Sequence, residues 1–358
     1  MSEIPADLLE AALGNPPFPW QARLLRHFLA GKIPDALDLP TGLGKTSVMA
    51  IWLVARACGA DLPRRLVYVV DRRAVVDQAT SEAEGLRAWA RNSEVNRALG
   101  LEGRELAVST LRGQYVDNRE WLLDPSAPAI VVGTVDMVGS RLLFEGYGSS
   151  RRMRPFFAGL LGQDTLLIID ESHLVPPFEC MVRAAFSIGP LRIAGIESPP
   201  SRLLPLSATG DSYAKPFQLD ADDHAHAIVA RRYNAPKSVY IERLRGDLAV
   251  ALADRAWALA SAGAEPRRVL VFTDRRKDAD RTRAALEKRI KAERGRGARP
   301  TVVLFVGGRR VHERTLAMEE LSASGFIAGS QRPDDHAFVI ATAAGEVGVD
   351  LDADDLVG

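Results

Sequence analysis

Short apolar runs alternate with longer segments of helical spacing along the first half of the chain. An apolar pair at residues 36–37 precedes a helix-like stretch at 47–58, and further aliphatic runs recur downstream. Each of these runs is too short for a helix and predicts a buried strand, at residues 66–70, 129–132, 166–169 and 203–206. Strands separated by helical segments predict an α/β lobe with a mainly parallel sheet flanked by helices.

A second alternating block begins after this pattern breaks. From residue 210 to 236 the chain mixes Asp, His, Ala and Pro without a clean period, which predicts a connection between lobes. Strands are then predicted at 269–273, 302–306 and 338–341, with helices at 278–291 and 313–322. We therefore predict a first lobe at 1–215, a connection at 216–236 and a smaller second lobe at 237–358.

The composition fits two hydrophobic cores in a reducing compartment. The chain has 358 residues, and this length exceeds what one hydrophobic core usually serves. Apolar residues make up 47% of the chain, which is enough for two cores. Its two cysteines, Cys58 and Cys180, lie in apolar surroundings and form no disulfide or thiolate-metal pattern. The N-terminus lacks a basic region, and no run of about 18 apolar residues occurs. We therefore predict a cytoplasmic protein without a membrane segment.

The overall charge does not by itself indicate a nucleic-acid partner, because 46 basic residues balance 46 acidic ones. Basic residues nevertheless cluster near the ends of apolar runs, at Arg72 and Arg73, Arg151 and Arg152, Arg275 to Lys277, and Arg309 and Arg310. Open α/β sheets present their ligand-binding loops at strand ends. Any one cluster could equally be a solvated face, but their repeated position favours a groove that follows phosphates.

A phosphate-binding loop follows the first predicted strand and precedes the first apolar helix. Its sequence at 39–46 is Leu-Pro-Thr-Gly-Leu-Gly-Lys-Thr, with Leu where the strict pattern has Gly. Backbone N–H groups freed by Gly42 and Gly44 can converge on a polyphosphate, Lys45 can reach the β and γ phosphates, and the Thr46 hydroxyl can ligate Mg²⁺. The alternative is a glycine-rich turn with a chance Lys-Thr. We expect Lys45 to be an exposed loop cation that contributes little to either core.

Two carboxylates follow the buried strand predicted at 166–169. Asp170 and Glu171 begin the sequence Asp-Glu-Ser-His at its carboxyl end, where carboxylates are costly unless they hold a cation or act on water. Phosphoryl transfer requires both functions, so we expect Asp170 to hold Mg²⁺ and Glu171 to polarise the attacking water. Together with the upstream loop, this pair predicts binding and hydrolysis of ATP.

Several motifs resemble those of superfamily 2 helicases and extend over nearly the whole chain. Residues 18–21 (Phe-Pro-Trp-Gln) resemble the adenine-reading glutamine motif, 207–209 (Ser-Ala-Thr) resemble motif III, and 341–350 resemble motif V. More narrowly, the segments at 69–78, 133–144 and 170–174 resemble the CRISPR-associated helicase–nuclease of type I systems, closest to subtype I-U. Ser172 stands where Ala is commoner in such motifs.

The resemblance implies tandem RecA-like lobes that use ATP to move 3′ to 5′ along single-stranded DNA. That strand would be the one displaced beside the guide-RNA heteroduplex, and a CRISPR surveillance complex would be the partner. The resemblance also implies that the nucleotide is bound by Gln21, Thr41, Gly42, Gly44, Lys45, Thr46 and, from the second lobe, Asp350. His173, Ser207 and Thr209 would couple the nucleotide state to DNA, with His173 in the catalytic set of Lys45, Asp170 and Glu171.

The same resemblance implies DNA contacts on both lobes, mainly at phosphates. These residues are Arg72, Gln78, Thr134, Asp136 and Arg141 on the first lobe, and Thr273, Arg275 and Thr342 on the second. Each of them taken singly could equally be a cap or turn residue. Asp222, Asp223, His224 and His226 could suggest a metal cluster, but a solvated linker accounts better for them.

Two features of the family pattern do not occur in these residues. No arginine-bearing motif VI follows Asp350, and no His-Asp pair of a metal-dependent nuclease occurs. We expect any nuclease domain to lie beyond residue 358 or on another chain. Two other functions stay open: a restriction or repair translocase of the same superfamily, and a nucleotide-switched clamp that binds DNA without turnover.

The missing motif gives a first prediction, because hydrolysis in such motors needs an arginine that neutralises the transferring phosphoryl group. That arginine contributes roughly 10³ to 10⁵ in rate. Residues 1–358 alone should bind ATP but show little DNA-stimulated turnover and no unwinding, and an extended chain should restore both. Steady-state phosphate release with and without single-stranded DNA tests this prediction. Robust DNA stimulation of turnover by residues 1–358 would show that another arginine neutralises the phosphoryl group.

Overall fold

The computed structural model describes residues 6–71, 73–111, 119–189, 192–193, 196–197, 199–207, 213–234, 238–244, 246–263, 265–294, 300–306, 311–327, 330–342 and 351–358. The chain divides into two compact units, Met1–Pro236 and Lys237–Gly358. Among the helices in these ranges, none is both long and apolar enough to cross a membrane. Each unit has its own sheet, so each is described by itself.

The sheet of the first unit is parallel and has the order β1-β8-β5-β2-β4-β3. The strands of this unit are β1 Leu37–Asp38, β2 Arg65–Val70, β3 Ala107–Leu111, β4 Ala129–Thr134, β5 Thr165–Ile169, β6 Arg192–Ile193, β7 Ile196–Glu197 and β8 Arg202–Ser207. β6 and β7 form a separate antiparallel pair. The strands predicted from apolar runs are confirmed. β3 was not predicted, because Ser109 and Thr110 interrupt its apolar character.

Helices cover both faces of this sheet, which is why its central strands are apolar on both sides. They are α1 Ala6–Leu13, α2 Pro19–Leu29, α3 Val48–Ala57, α4 Arg73–Trp89, α5 Ser93–Ala98, α6 Glu120–Leu123, α7 Val135–Leu142, α8 Arg154–Gly162 and α9 Pro176–Ser187. Along β2, Tyr68 packs into one core with Trp20 and Trp52, whereas Val69 packs into the other with Trp121 and Phe157. The alternation of side chains along a strand therefore supplies both cores.

Residues 216–234 fold onto the first unit and do not form a free connection. Phe217 is buried and bridges to Leu37 beside β1, and two short helices follow, α10 Ala221–Ala225 and α11 Ala227–Tyr233. Asp223 is fully buried and pairs with Arg23 of α2 at 2.6 Å. The interpretation of Asp222, Asp223, His224 and His226 as a solvated linker is therefore wrong for Asp223, which is buried. The inter-lobe connection at 216–236 stays a prediction. Such short helices have too few turns for a periodic apolar pattern.

The second unit repeats the α/β plan on a smaller scale, with a parallel sheet of order β10-β11-β9-β12. Its strands are β9 Arg268–Phe272, β10 Thr301–Phe305, β11 Ala337–Ala341 and β12 Asp355–Val357, and its helices are α12 Leu248–Ala260, α13 Arg276–Arg294 and α14 Val311–Ala323. β12 and α12 were not predicted. The fold class, mainly parallel sheets flanked by helices, is confirmed.

A buried arginine joins β9 to the segment that carries β12. Arg268 is 5% exposed, and its guanidinium donates to the Gly325 carbonyl at 2.7 Å. It also pairs with Asp352 at 3.0 Å and with Asp354 at 3.1 Å. Because these carboxylates belong to the last described segment, Arg268 holds that segment against the sheet.

We predict that Arg268→Met destabilises the second unit by about 2 to 3 kcal/mol. The change leaves the Gly325 carbonyl without its buried donor and removes the arginine that pairs with Asp352. It also takes one cation from Asp354, which keeps its pair with Arg332. Arg283→Met serves as the control, since Arg283 is exposed and, among the described residues, pairs with Glu287 one helical turn away. Its cost should stay below about 0.5 kcal/mol. Chemical denaturation measures both variants, and equal stability of the two would contradict the structural role of Arg268.

Candidate nucleotide-binding site

Three strands of the first unit bring the predicted catalytic motifs to one edge of the sheet. β8 lies between β1 and β5, and all three run in the same direction. The phosphate-binding loop follows β1, Asp170 follows β5, and Ser207 ends β8. The carboxyl ends of parallel strands meet at one edge, so residues far apart in sequence become neighbours there.

The phosphate-binding loop depends on two glycines in left-handed conformations. Gly42 has φ of 79° and Gly44 has φ of 73°, and L side chains rarely adopt this backbone region. A 3₁₀ turn at Lys45–Ser47 then leads into α3. The first N–H groups of such a helical start have no partners within the helix, so they favour an anion such as phosphate.

Lys45 is buried and paired, so the expectation of an exposed loop cation is wrong. Its side chain is 8% exposed, and Nζ lies 2.8 Å from Oε1 of Glu171, which is 27% exposed. This contact forms because the sheet order places the end of β5 near the loop after β1. A phosphate and the Glu171 carboxylate are both anions that suit the Lys45 ammonium, so we expect nucleotide binding to compete with the ion pair.

The Glu171 backbone is itself unusual, with φ of 46°. This left-handed conformation costs roughly 1 kcal/mol or more in a residue with a side chain. His173 follows in the 3₁₀ turn Ser172–Leu174, and its Nδ1 lies 3.4 Å from Oε2 of Glu171. The structure therefore brings together three of the predicted catalytic residues, Lys45, Glu171 and His173.

Asp170 has the electrostatic properties expected of a cation ligand. Burial raises the pKa of its carboxyl, the charge of Glu171 raises it further, and Lys45 acts in the opposite direction. Two adjacent carboxylates, one of them buried, are costly without a cation nearby. These residues therefore suit Mg²⁺. Tyr68, which was not predicted, lies fully buried on β2, and burial and the nearby charge of Asp170 raise its pKa well above 10.0.

Gln21 contacts the phosphate-binding loop from α2. Its Oε1 accepts a hydrogen bond from the Phe18 N–H at 2.7 Å, and its Nε2 donates to the Ser47 hydroxyl at 2.9 Å. The first contact caps α2, and the second fixes that helix against the start of α3. Gln21 therefore lies beside the loop, and its reading of adenine stays a prediction.

Two residues that the sequence did not indicate also touch the loop. Glu82 of α4 accepts a long hydrogen bond of 3.4 Å from the Thr46 hydroxyl. Arg232 of α11 donates to the Gly42 carbonyl. Neither follows from local pattern, because Glu82 lies within an ordinary amphipathic helix and Arg232 within the segment interpreted as a linker.

The structure describes only some of the residues predicted to couple the nucleotide to DNA and of the remaining residues predicted to bind the nucleotide. Ser207 is buried at the end of β8, and its carbonyl accepts a hydrogen bond from the Leu39 N–H at 3.0 Å. This bond fixes the start of the phosphate-binding loop to β8. Thr41 is exposed in the loop. Thr209 and Asp350 lie outside the described residues.

Arg141 is covered by protein in this structure, and its contact with DNA stays a prediction, like the contacts of the other first-lobe residues. Arg141 is 3% exposed, donates to the Met137 carbonyl at 3.0 Å and lies over the Phe157 ring at 5.4 Å. Its cationic group packs between α7 and α8, so it is covered by protein. Thr134 is buried and caps α7, whereas Asp136 and Gln78 are exposed. Arg72 lies outside the described residues.

The predicted DNA residues of the second unit gather at the carboxyl edge of its sheet. Thr273 follows β9 and Thr342 follows β11, and both are buried. The Thr273 N–H donates to the Ala341 carbonyl at 2.9 Å, and the Thr342 N–H donates to the Phe305 carbonyl at 3.2 Å. Arg275 is exposed next to them. Their role in binding DNA stays a prediction.

This fold and site define an ATPase core of the helicase type. The family model "Type III restriction enzyme, res subunit" matches residues 16–209, which is more than half of the chain, so the chain belongs to this family. At the coarser level the protein is a superfamily 2 helicase-like ATPase. Comparison with curated proteins gave no match.

Several solved helicases are similar in fold. The DUF1998 helicase MrfA bound to DNA and AMPPNP aligns with a TM-score of 0.59 and 17% identity, over 98% of this chain and 45% of that one. The T. fusca Cas3-ATP structure aligns with a TM-score of 0.57 and 16% identity, over 98% of this chain and 43% of that one. The Mycobacterium smegmatis helicase Lhr bound to ssDNA and AMP-PNP aligns with a TM-score of 0.55 and 18% identity, over 94% of this chain and 41% of that one. The chain thus spans less than half of these proteins, and at such identities the likeness shows the fold of tandem RecA-like lobes.

We predict that Lys45→Ala weakens MgATP binding at least about 100-fold, because charge-assisted contacts to two phosphates contribute about 1.5 to 3 kcal/mol each. The fold should persist, since Glu171 is partly open to solvent and can be hydrated. Lys32→Ala, at an exposed lysine before β1, is the matched control and should bind normally. Calorimetric titration measures affinity, and thermal unfolding checks the fold. Unchanged affinity in folded Lys45→Ala would exclude the loop as the phosphate site.

Proposed function

We propose that this protein is an ATP-driven translocase that moves along single-stranded DNA. The observation that carries the proposal is the Lys45–Glu171 ion pair at the carboxyl edge of the first sheet. It joins the cation suited to polyphosphate with the carboxylate suited to activating water. A binding protein without turnover would need the first group but not the second, so the pair favours hydrolysis over a simple clamp.

The chemistry follows from the residues at this edge. Lys45 and the loop N–H groups bind the phosphates, while Thr46 and Asp170 would hold Mg²⁺, which neutralises charge that develops on the transferred phosphoryl group. Entry of ATP draws Lys45 away from Glu171. The freed carboxylate would then orient water for attack on the γ phosphate.

DNA as the second substrate is supported by the placement of polar groups and by related proteins. Thr273, Arg275 and Thr342 lie at one edge of the second sheet, where open α/β sheets bind ligands. The similar MrfA and Lhr structures are described as bound to DNA and to single-stranded DNA. We infer that a strand follows this edge, mainly through phosphate contacts, and that movement is 3′ to 5′.

The biological setting has two candidates. The motif resemblance at 133–144 and the fold similarity to T. fusca Cas3 favour CRISPR interference, with a guide-RNA surveillance complex as the partner. The family description favours a restriction translocase, because it is the res subunit of type III restriction enzymes. We propose the first and keep the second as the alternative.

Phosphate release with and without single-stranded DNA tests the proposed activity, with Glu171→Gln as the decisive variant. Its turnover should fall by on the order of 10² to 10⁴, because an amide cannot act as a base. Its affinity for ATP should be equal or higher, since Lys45 no longer has an ion-pair partner that competes with phosphate. These rates are measured on the extended chain, for which turnover is expected, and tight binding without turnover in that chain would establish the clamp instead.

The direction and the partner need a separate measurement. With the extended chain, unwinding of duplexes with a single-stranded tail at either the 3′ or the 5′ end should succeed only with the 3′ tail. A surveillance complex bound to its DNA target should stimulate ATP turnover by the protein well beyond the same DNA without the complex. Equal stimulation by naked DNA would favour the restriction or repair translocase.

A further inference from the structure

The residue directly after the catalytic carboxylates makes a contact that the commoner residue at this position could not make. Ser172 is 1% exposed, and its Oγ lies 3.0 Å from the hydroxyl of Tyr213. Alanine has no group to form this bond. Tyr213 is half-buried in the segment that follows β8, so the contact joins the turn after β5 to a distant part of the chain.

The direction of this hydrogen bond follows from proton counting. The Tyr213 hydroxyl lies 2.8 Å from Oε2 of Glu179, and an ionised carboxylate can only accept. The single proton of Tyr213 therefore goes to Glu179, and the Ser172 hydroxyl donates to the Tyr213 oxygen. The result is a directed chain from Ser172 through Tyr213 to Glu179, in which each bond polarises the next.

The far end of the chain is fixed on α9. Arg183 pairs with Glu179 at 2.8 Å one helical turn away, and its guanidinium lies 5.6 Å from the centre of the Tyr213 ring. Glu179 is 12% exposed, so it is held between a cation and a phenol with little access to water. Tyr213 is thus bound through both its hydroxyl and its ring.

The turn that carries Glu171 needs such support. Its left-handed backbone is unfavourable for a residue with a side chain, and strain of this kind persists only where neighbouring contacts over-determine it. Two backbone bonds close the turn, from the Leu174 N–H to the Glu171 carbonyl at 2.9 Å and from the Val175 N–H to the Ser172 carbonyl at 3.0 Å. The Ser172 side chain adds the one tertiary bond that the described residues show for this turn besides those of Glu171 itself.

We propose that Ser172, Tyr213 and Glu179 form a positioning network that holds Glu171 in its hydrolytic geometry once Lys45 has turned to the nucleotide. The inference rests on the proposed function. In the free protein the ion pair with Lys45 restrains the Glu171 side chain, and ATP removes that restraint. The network then keeps the backbone in place, so it affects the rate of hydrolysis and leaves the affinity for ATP unchanged.

Tyr213→Phe and Ser172→Ala test the network, because each removes one hydroxyl and little volume. Each should lower kcat for ATP by roughly 3- to 10-fold, the effect of losing one hydrogen bond that supports the transition-state geometry. KM and the ATP affinity from titration should stay within about 2-fold. The double variant should lose no more than the larger single effect, since both hydroxyls belong to one chain.

Tyr147→Phe is the matched control, because Tyr147 is 66% exposed and lies outside this network. It should leave kcat unchanged. Thermal unfolding should give similar Tm values for all variants, and Ser172→Ala, which installs the residue commoner at this position, keeps the test valid if Tyr213→Phe folds poorly. Unchanged kcat in Ser172→Ala, or a rise in KM alone, would overturn the network. All kcat values are measured in the extended chain, and lack of turnover in that chain without substitutions would instead overturn the proposed function, and this inference with it.

Discussion

Parallel pairing of β8 with both β1 and β5 is the constraint on which the candidate site depends. These pairs hold three carboxyl strand ends at one edge, and each end carries a different part of the site. Because the strands are buried on both faces, a shift in register would move apolar side chains out of two cores at once. The cores therefore fix the relative positions of the phosphate-binding loop, the carboxylates and Ser207.

The Lys45–Glu171 ion pair gives this edge a state that is distinct from the one that binds nucleotide. Both groups are in part shielded from water, so each needs a partner, and each serves as the other's partner in the free protein. Under the proposed function, ATP would replace Glu171 as the partner of Lys45. The free protein would then hold Glu171 in a paired form until a nucleotide binds.

The segment after β8 contributes more to the first unit than its irregular sequence indicates. Phe217 extends the sheet edge beside β1, and Asp223 anchors α10 to Arg23. Tyr213 reaches the turn after Glu171, and Arg232 reaches the loop at Gly42. These contacts come from opposite ends of one segment and touch both halves of the candidate site. A movement of this segment would therefore act on phosphate binding and on water activation together.

Local pattern in the sequence determined the strands that carry the site, the phosphate-binding loop and the acidic pair, because side-chain type and spacing report burial and backbone conformation directly. β3 and β12 were not predicted, since polar residues leave their apolar runs too short to indicate a buried strand. Only the tertiary structure decided which side chains meet. Lys45 pairs with Glu171, which is 126 residues away in the sequence. Arg141 packs against Phe157 of α8, although the motif that contains it suggested a contact with DNA. Such pairings depend on strand order and on competition for hydrogen-bond partners, and neither leaves a period in the sequence.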